Sequence, residues 1–309
     1  MNSPILIVTA LYSFIGLCLN GAILYLLLAH GRRSYHYVFA VVPFACAVWD
    51  LGILLEMVRN AHVNELALYG QIISFPAFFI GPAMFHFTHL YTHRASRWVV
   101  ALFWAVSVIC LARIVLGLSV MVDGTLSYSW GNLHKAASIS LIDAVFFAVW
   151  YAGMFVSVWL LYGYRAQSTV RLARRHTAYI MVGFLAIAVA TVKILLTMGV
   201  DVPFLLPLGM ALTDVFAAVI GVAILKDRLL DITVIVKKTA IYSALAAVVV
   251  VVFSLCEHLL AAYVAEFIGE GSQLLHLISI VVVIALAMPL KGQLERFMDR
   301  VFAKRMVEV

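Results

Sequence analysis

The 309-residue chain is 65% hydrophobic and only 12% charged, and its mean hydropathy is +1.08. This composition excludes an ordinary soluble globular protein. Apolar stretches of 18 or more residues recur along the whole length, which predicts an all-α, polytopic membrane helix bundle. The net charge of +6 then indicates membrane orientation and attraction to anionic lipid, and we expect no nucleic-acid partner.

Nine membrane spans are predicted. They cover approximately residues 5–29, 38–58, 66–91, 98–121, 139–164, 179–198, 204–225, 241–265 and 274–290. The first seven form a predicted sensor bundle over residues 1–225, and a cytoplasmic amphipathic hinge follows at residues 226–240. A two-helix membrane hairpin at 241–290 and a basic amphipathic tail at 291–309 complete the predicted organisation. Because no basic region precedes the first span, it is expected to be a retained helix and not a cleaved signal.

The loops differ sharply in positive charge. One alternating set carries 17 Lys and Arg residues: Arg32, Arg33, Arg94, Arg97, Arg165, Arg171, Arg174, Arg175, Lys226, Arg228, Lys237, Lys238, Lys291, Arg296, Arg300, Lys304 and Arg305. The other set carries only Arg59 and Lys135, and its longest member, residues 123–138, is expected to be a polar, turn-prone loop. The positive-inside rule therefore predicts an outside N-terminus and a cytoplasmic C-terminus.

Ionisable residues inside apolar spans are costly and usually face the bundle interior or a water-filled cavity. A rise of 1.5 Å per residue brings charged groups from five spans to one level in the outer half of the membrane. The candidate ligand-binding residues are Glu56, Arg113, Asp143, Lys193, Glu257 and His258. Arg113 with Asp143 is the favoured pair. Asp50 and Asp214 lie nearer the middle and could extend a proton or ion path.

The alternatives for these charges are structural ion pairs, or side chains that extend to the lipid headgroups, above all for Lys193 and Glu56. His86, His89 and His93 have a spacing that could place three imidazoles on one helical face, so they are weak metal candidates. Neither a metal nor a cofactor is expected. The four cysteines, Cys18, Cys46, Cys110 and Cys256, fall in apolar segments and are interpreted as buried apolar residues.

Two motifs in the second half of the chain carry a family resemblance. Arg228-Leu229-Leu230-Asp231-Ile232 follows the seventh span, and Pro289-Leu290 precedes Asp299-Arg300-Val301-Phe302 near the C-terminus. This order and spacing resembles the N-terminal seven-transmembrane sensor region of bacterial histidine kinases. The resemblance implies a bacterial inner-membrane location and a two-component system, with Arg228, Asp231, Asp299 and Arg300 as signal-relay residues.

The sequence contains no Ser-His-Asp set, glycine-rich phosphate loop or kinase motif, so no catalytic residue is assigned. We expect a non-catalytic sensor or receptor module, either taken from a longer kinase or signalling through a separate chain. Its expected partners are membrane lipids, a small-molecule ligand, a kinase or other membrane chain, and a second copy in a homodimer. The alternatives are a small-molecule or ion transporter, or an accessory subunit of a membrane complex.

Overall fold

The computed structural model describes residues 3–31, 33–60, 62–94, 96–118, 122–137 and 141–227. The helices in these ranges are α1 Pro4–His30, α2 Ser34–Val58, α3 Val63–Thr92, α4 Arg97–Val115, α5 Leu141–Gln167, α6 Arg171–Ala190, α7 Ile194–Thr197 and α8 Leu205–Asp227. A 3-10 turn, Thr191–Lys193, joins α6 to α7, and two strands, β1 Val122–Tyr128 and β2 Gly131–Ala136, lie between α4 and α5.

Seven helical segments of the described chain are long and apolar enough to cross a membrane. They correspond in order to the first seven predicted spans, with α6, the 3-10 turn and α7 together forming the sixth. The protein is therefore a multi-pass membrane helix bundle. The predicted eighth and ninth spans, the helix pair at 241–290 and the four signal-relay residues lie outside the described residues.

Two predicted span boundaries differ from the helix ends. The fourth span was expected to continue to Met121, but α4 ends at Val115 and the chain turns through Gly117 with φ of 70°. The sixth was expected to begin at Tyr179, but α6 begins at Arg171 because arginine is a good helix former and the basic residues continue the helical run. α8 continues to Asp227, and residues 228–240 of the predicted hinge lie outside the described residues.

Most helices of the bundle pack against the helices next to them in the sequence. α2 packs between α1 and α3, and α8 packs against α1 and α6, while α5 contacts α3, α4 and α6. Four aromatic residues tie these layers together at the centre: Phe39, Phe87, Phe184 and Phe216. The ring centroids of Phe87, Phe184 and Phe216 lie 4.8–6.3 Å from that of Phe39. All four side chains are fully buried. This aromatic cluster joins α2, α3, α6 and α8.

The segment expected to be an irregular loop is instead an antiparallel β-hairpin. β1 pairs with β2 from Val122↔Ala136 to Tyr128↔Gly131, with an irregular register between Val122 and Thr125. Ser129 and Trp130 form the two-residue turn. Gly131 follows with φ of 156°, and a Cβ on it would lie 2.8 Å from Leu6. Glycine therefore allows the hairpin to approach the start of α1 closely.

Candidate functional site at the hairpin end of the bundle

The β-hairpin covers the end of the bundle at which α1 and α8 begin and α2 and α7 end. We call this the hairpin end. Its apolar cluster combines two hairpin side chains with residues from these helices: Leu6, Ala10, Ile53, Met57, Trp130, Leu133, Leu196, Leu206 and Met210. Trp130 is 6% exposed and Leu133 is 1% exposed. The hairpin is thus packed into the end of the bundle.

Polar contacts fix the hairpin to the connections between spans. Asn60, after α2, accepts from the backbone N–H of Asn132 at 2.9 Å and donates to its carbonyl oxygen at 2.6 Å. Trp130 Nε1 donates to Asp201 at 3.0 Å. Tyr128 donates its hydroxyl to the carbonyl oxygen of Leu196. Burial, followed by the charge of Asp201, raises the pKa of Tyr128, which favours the protonated hydroxyl that donates here.

One acidic residue joins the hairpin to the interior of α2. Glu56 Oε1 accepts from the backbone N–H of His134 at 2.6 Å, and it lies 2.9 Å from His134 Nδ1. The Glu56 side chain is fully buried and that of His134 is 10% exposed. Gly70 of α3 makes room for the imidazole, because a Cβ there would lie 2.5 Å from His134 Cγ. Glu56 therefore does not extend to the lipid headgroups, and that alternative was wrong for this residue.

A second polar group lies deeper in the bundle, and we call it the polar core: Asn20, Asp50, Lys193 and Asp214. Asp50 is six residues before Glu56 on α2, or roughly 9 Å further along the helix axis. Asn20 of α1 donates through Nδ2 to Asp50 Oδ2 at 3.0 Å, and both residues are fully buried. Asp214 of α8 approaches α1 at the same position, Gly16.

Gly16 of α1 is the point at which the two carboxylates converge. A Cβ on Gly16 would lie 2.6 Å from Asp50 Oδ2 and 2.6 Å from Asp214 Oδ1. Because each oxygen lies 2.6 Å from the same Cβ position, the two oxygens are separated by no more than twice that distance. Within the described part of the chain, Asp50 Oδ1, both Asp214 oxygens and Asn20 Oδ1 are buried and accept no hydrogen bond. Such orphaned acceptors are rare in protein interiors.

Lys193 provides the positive charge of the polar core. Its side chain is held inside the bundle, with the residue 5% exposed, so the proposal that it extends to the headgroups was also wrong. Nζ donates to Met210 Sδ at 2.8 Å and lies 4.3 Å from the ring centroid of Trp49. Lys193 is within electrostatic range of Asp50 and Asp214, but among the described contacts it makes no hydrogen bond or ion pair with either.

Of the other predicted ligand-binding residues, Arg113 is the one whose side chain the structure describes. Arg113 is half-buried near the end of α4, which packs mainly against α3 and α5. The side chain of Asp143 lies outside the described residues, as do Glu257 and His258, so the Arg113–Asp143 pair stays a prediction. Lys193 is thus within electrostatic range of Asp50 and Asp214, whereas Glu56 contacts His134 directly.

Of the three histidines proposed as weak metal candidates, His93 lies beyond the end of α3. His86 Nδ1 accepts from Trp104 Nε1 at 3.2 Å, and the helix ends at Thr92. His93 follows in the left-handed conformation, with φ of 56°, so it leaves the helical direction that the spacing assumed. Within the described ranges, no three His, Cys, Asp or Glu side chains are grouped so as to hold a metal ion.

Sequence reasoning missed three important residues. Asn20 is a lone amide within the apolar α1, and a search for all polar side chains in spans, not only ionisable ones, would have found it. His134 was assigned to a loop, so its pairing with Glu56 was not considered. Gly16 has no signal in the sequence, because its importance comes only from the approach of two side chains from other helices.

Comparison with known proteins identifies the family. A family model described as the N-terminal 7TM region of histidine kinase matches residues 10–233, more than two thirds of the chain. The chain belongs to this family. The matched range includes most of the first described span, all of the other six, the β-hairpin and the polar core. A search of curated proteins finds no match.

Membership confirms the predicted resemblance, and it indicates a membrane sensor module for this seven-helix region. The two short motifs on which the resemblance was first based lie outside the described residues. At the hairpin end and in the polar core, buried charged side chains from different elements of the described structure meet.

We expect Gly16→Ala to destabilise the protein by about 1–3 kcal/mol, because the new methyl group would overlap two carboxylate oxygens in a packed interior. Gly21→Ala is the matched control on the same helix, since nothing lies within 4 Å of a Cβ at that position. Thermal unfolding in lipid nanodiscs would measure both. Equal stability of the two variants would contradict the convergence of Asp50 and Asp214 on Gly16.

Proposed function

We propose that the protein is a membrane sensor in which a change at the hairpin end alters the helices and is passed to the cytoplasmic side. The observation that supports this most strongly is the buried Glu56–His134 contact at 2.9 Å. It joins an extramembrane element directly to a membrane helix, and α2 then leads to the polar core. A ligand that binds differently to two positions of the hairpin would shift the population of the helix arrangements.

The proposed orientation puts the hairpin end outside the cell. At this end the connections carry Arg59 and Lys135, whereas those at the opposite end are rich in arginine. The positive-inside rule favours a cytoplasmic location for the basic end. The membrane is proposed to be the bacterial cytoplasmic membrane, since the family is that of histidine kinases.

The proposed output is a histidine kinase of a two-component system, either continuous with this region or in a separate chain. Two further spans, at about 241–265 and 274–290, would bring the total to nine and place the basic tail in the cytoplasm. The hinge and tail, with Arg228, Asp231, Asp299 and Arg300, would carry the signal. Membrane lipids and a second copy of the chain are the other proposed partners.

Hydrogen–deuterium exchange of the chain in nanodiscs would test this transmission. Glu56→Gln should loosen the hairpin and increase exchange in peptides from residues 122–136. If the hairpin controls the cytoplasmic side, exchange should also change at residues 226–240 and 291–309. Ser129→Ala, an exposed substitution in the same hairpin turn, is the control. A change confined to the hairpin would contradict signal transmission.

Ion transport is the second candidate, favoured by the unpaired buried carboxylate oxygens of Asp50 and Asp214. Ionisable groups in the membrane interior often mark ion pathways. Flux assays in proteoliposomes distinguish the two functions, because a transporter moves its substrate continuously and loses that flux in Asp50→Asn. A sensor shows no sustained flux.

A further inference from the structure

We propose that Asp50, Asp214 and Asn20 form a binding site for one monovalent metal cation of the sodium class. Three helices contribute to it: α1 provides Asn20, α2 provides Asp50 and α8 provides Asp214. The proposed cation site is independent of the proposed sensor function, because it is inferred from the positions of the side-chain oxygen atoms alone.

The available oxygen atoms are the first argument. Asp50 and Asn20 are 0% exposed, yet within the described structure Asp50 Oδ1 and Asn20 Oδ1 accept no hydrogen bond. The same is true of both Asp214 oxygens. An unpaired buried acceptor costs about 1–3 kcal/mol, and more when it is charged. Carboxylate and amide oxygens are the ligands that hard cations prefer, so a cation bound at the two aspartates and Asn20 would give these unpaired acceptors a partner.

The arrangement of the carboxylates is the second argument. Asp50 Oδ2 and Asp214 Oδ1 each lie 2.6 Å from the position that a Cβ would take on Gly16. The two carboxylates of different helices therefore occupy the room that the missing side chain of Gly16 leaves, and they lie close to each other. Like charges this close repel each other strongly in a medium of low dielectric constant, unless a positive charge lies between them.

The charge balance selects a monovalent ion. Asp50 and Asp214 contribute two negative charges and Lys193 one positive charge, which leaves a single negative charge within the bundle. Lys193 does not neutralise the carboxylates directly, because Nζ contacts Met210 Sδ and Trp49. Among the described residues, Lys193 is also within electrostatic range of the Cys46 thiol, one turn before Asp50, and of Glu56, which is bound to His134. One monovalent cation makes the polar core neutral.

The test is equilibrium binding of ²²Na⁺ to the full chain in nanodiscs, together with thermal unfolding at increasing NaCl concentration. Choline chloride keeps the ionic strength constant. We expect saturable binding of one Na⁺ per chain and a matching rise in Tm. Asp50→Asn and Asp214→Asn should each lose both, while Asp123→Asn, an exposed carboxylate in the hairpin, should keep both.

Lys193→Met should lower the half-saturating Na⁺ concentration by roughly tenfold or more, because it removes a neighbouring positive charge. Wild-type protein that binds no Na⁺ saturably would overturn the proposal, even if both aspartate variants failed to fold. Stability that responds to pH but not to Na⁺ at constant ionic strength would also overturn it, because the carboxylates would then hold a proton.

Discussion

Glu56→Ala is expected to destabilise the protein by about 3 kcal/mol, because it leaves buried donors of His134 without an acceptor. Both the backbone N–H and the ring nitrogen of His134 lie within 3 Å of Glu56 Oε1, and Glu56 is fully buried. Thermal or denaturant unfolding in nanodiscs measures the loss. Exchange of the amide protons of residues 122–136 should rise in the same variant, since the hairpin loses its contact with α2.

Glu65→Ala is the matched control for this prediction. Glu65 also forms an ion pair, with Arg59 at 2.7 Å, but this pair is exposed to solvent. Exposed ion pairs contribute little, since water and salt screen them. A loss of stability in Glu65→Ala as large as that in Glu56→Ala would show that the buried contact has no special role.

The second large effect is expected at the aromatic cluster in the centre of the bundle. Phe39→Ala removes a fully buried ring that contacts Phe87, Phe184 and Phe216 on three other helices. The resulting cavity should cost on the order of 3 kcal/mol, because packing contacts are lost on all sides. Packing is the main force that holds membrane helices together, so this loss should weaken the association of α2, α3, α6 and α8.

Phe44→Ala is the control for the aromatic cluster, since Phe44 lies on the same helix and is 49% exposed. In the membrane its ring faces lipid or the edge of the bundle, and removal leaves no internal cavity. Unfolding of both variants in the same nanodiscs gives the comparison. Similar stability of Phe39→Ala and wild-type protein would contradict the central position of this cluster.

Hydropathy predicted the seven described spans because a membrane helix needs about 20 apolar residues, and this length is visible in one dimension. It did not predict the boundaries of α4 and α6, which depend on local backbone geometry and on helix-forming basic residues. The β-hairpin was missed because Asp123-Gly124 and Gly131-Asn132 suggested turns throughout. Its two short strands are stabilised by packing of Trp130 and Leu133 against helix ends, which the local sequence does not show.

The candidate site shows a similar limit. Depth along a helix can be calculated from the rise per residue, so the sequence showed that Glu56 and Lys193 lie within spans. It could not show the direction in which each side chain points around its helix. That direction depends on which helices are neighbours, and it joins Glu56 to His134 and brings Lys193 near Asp50 and Asp214. The expected partner of Arg113, by contrast, is on α5, and this pairing stays untested.

The central claim is that the hairpin end faces the outside of the cell and the basic end faces the cytoplasm. Labelling of intact cells with a membrane-impermeant thiol reagent tests it most directly. Ser129→Cys in the exposed hairpin turn and Thr169→Cys in the exposed connection between α5 and α6 are the two reporters. If the hairpin end faces outside, Ser129→Cys should be labelled in intact cells and Thr169→Cys only after the membrane is opened. The reverse pattern would contradict the orientation and the proposed direction of signalling.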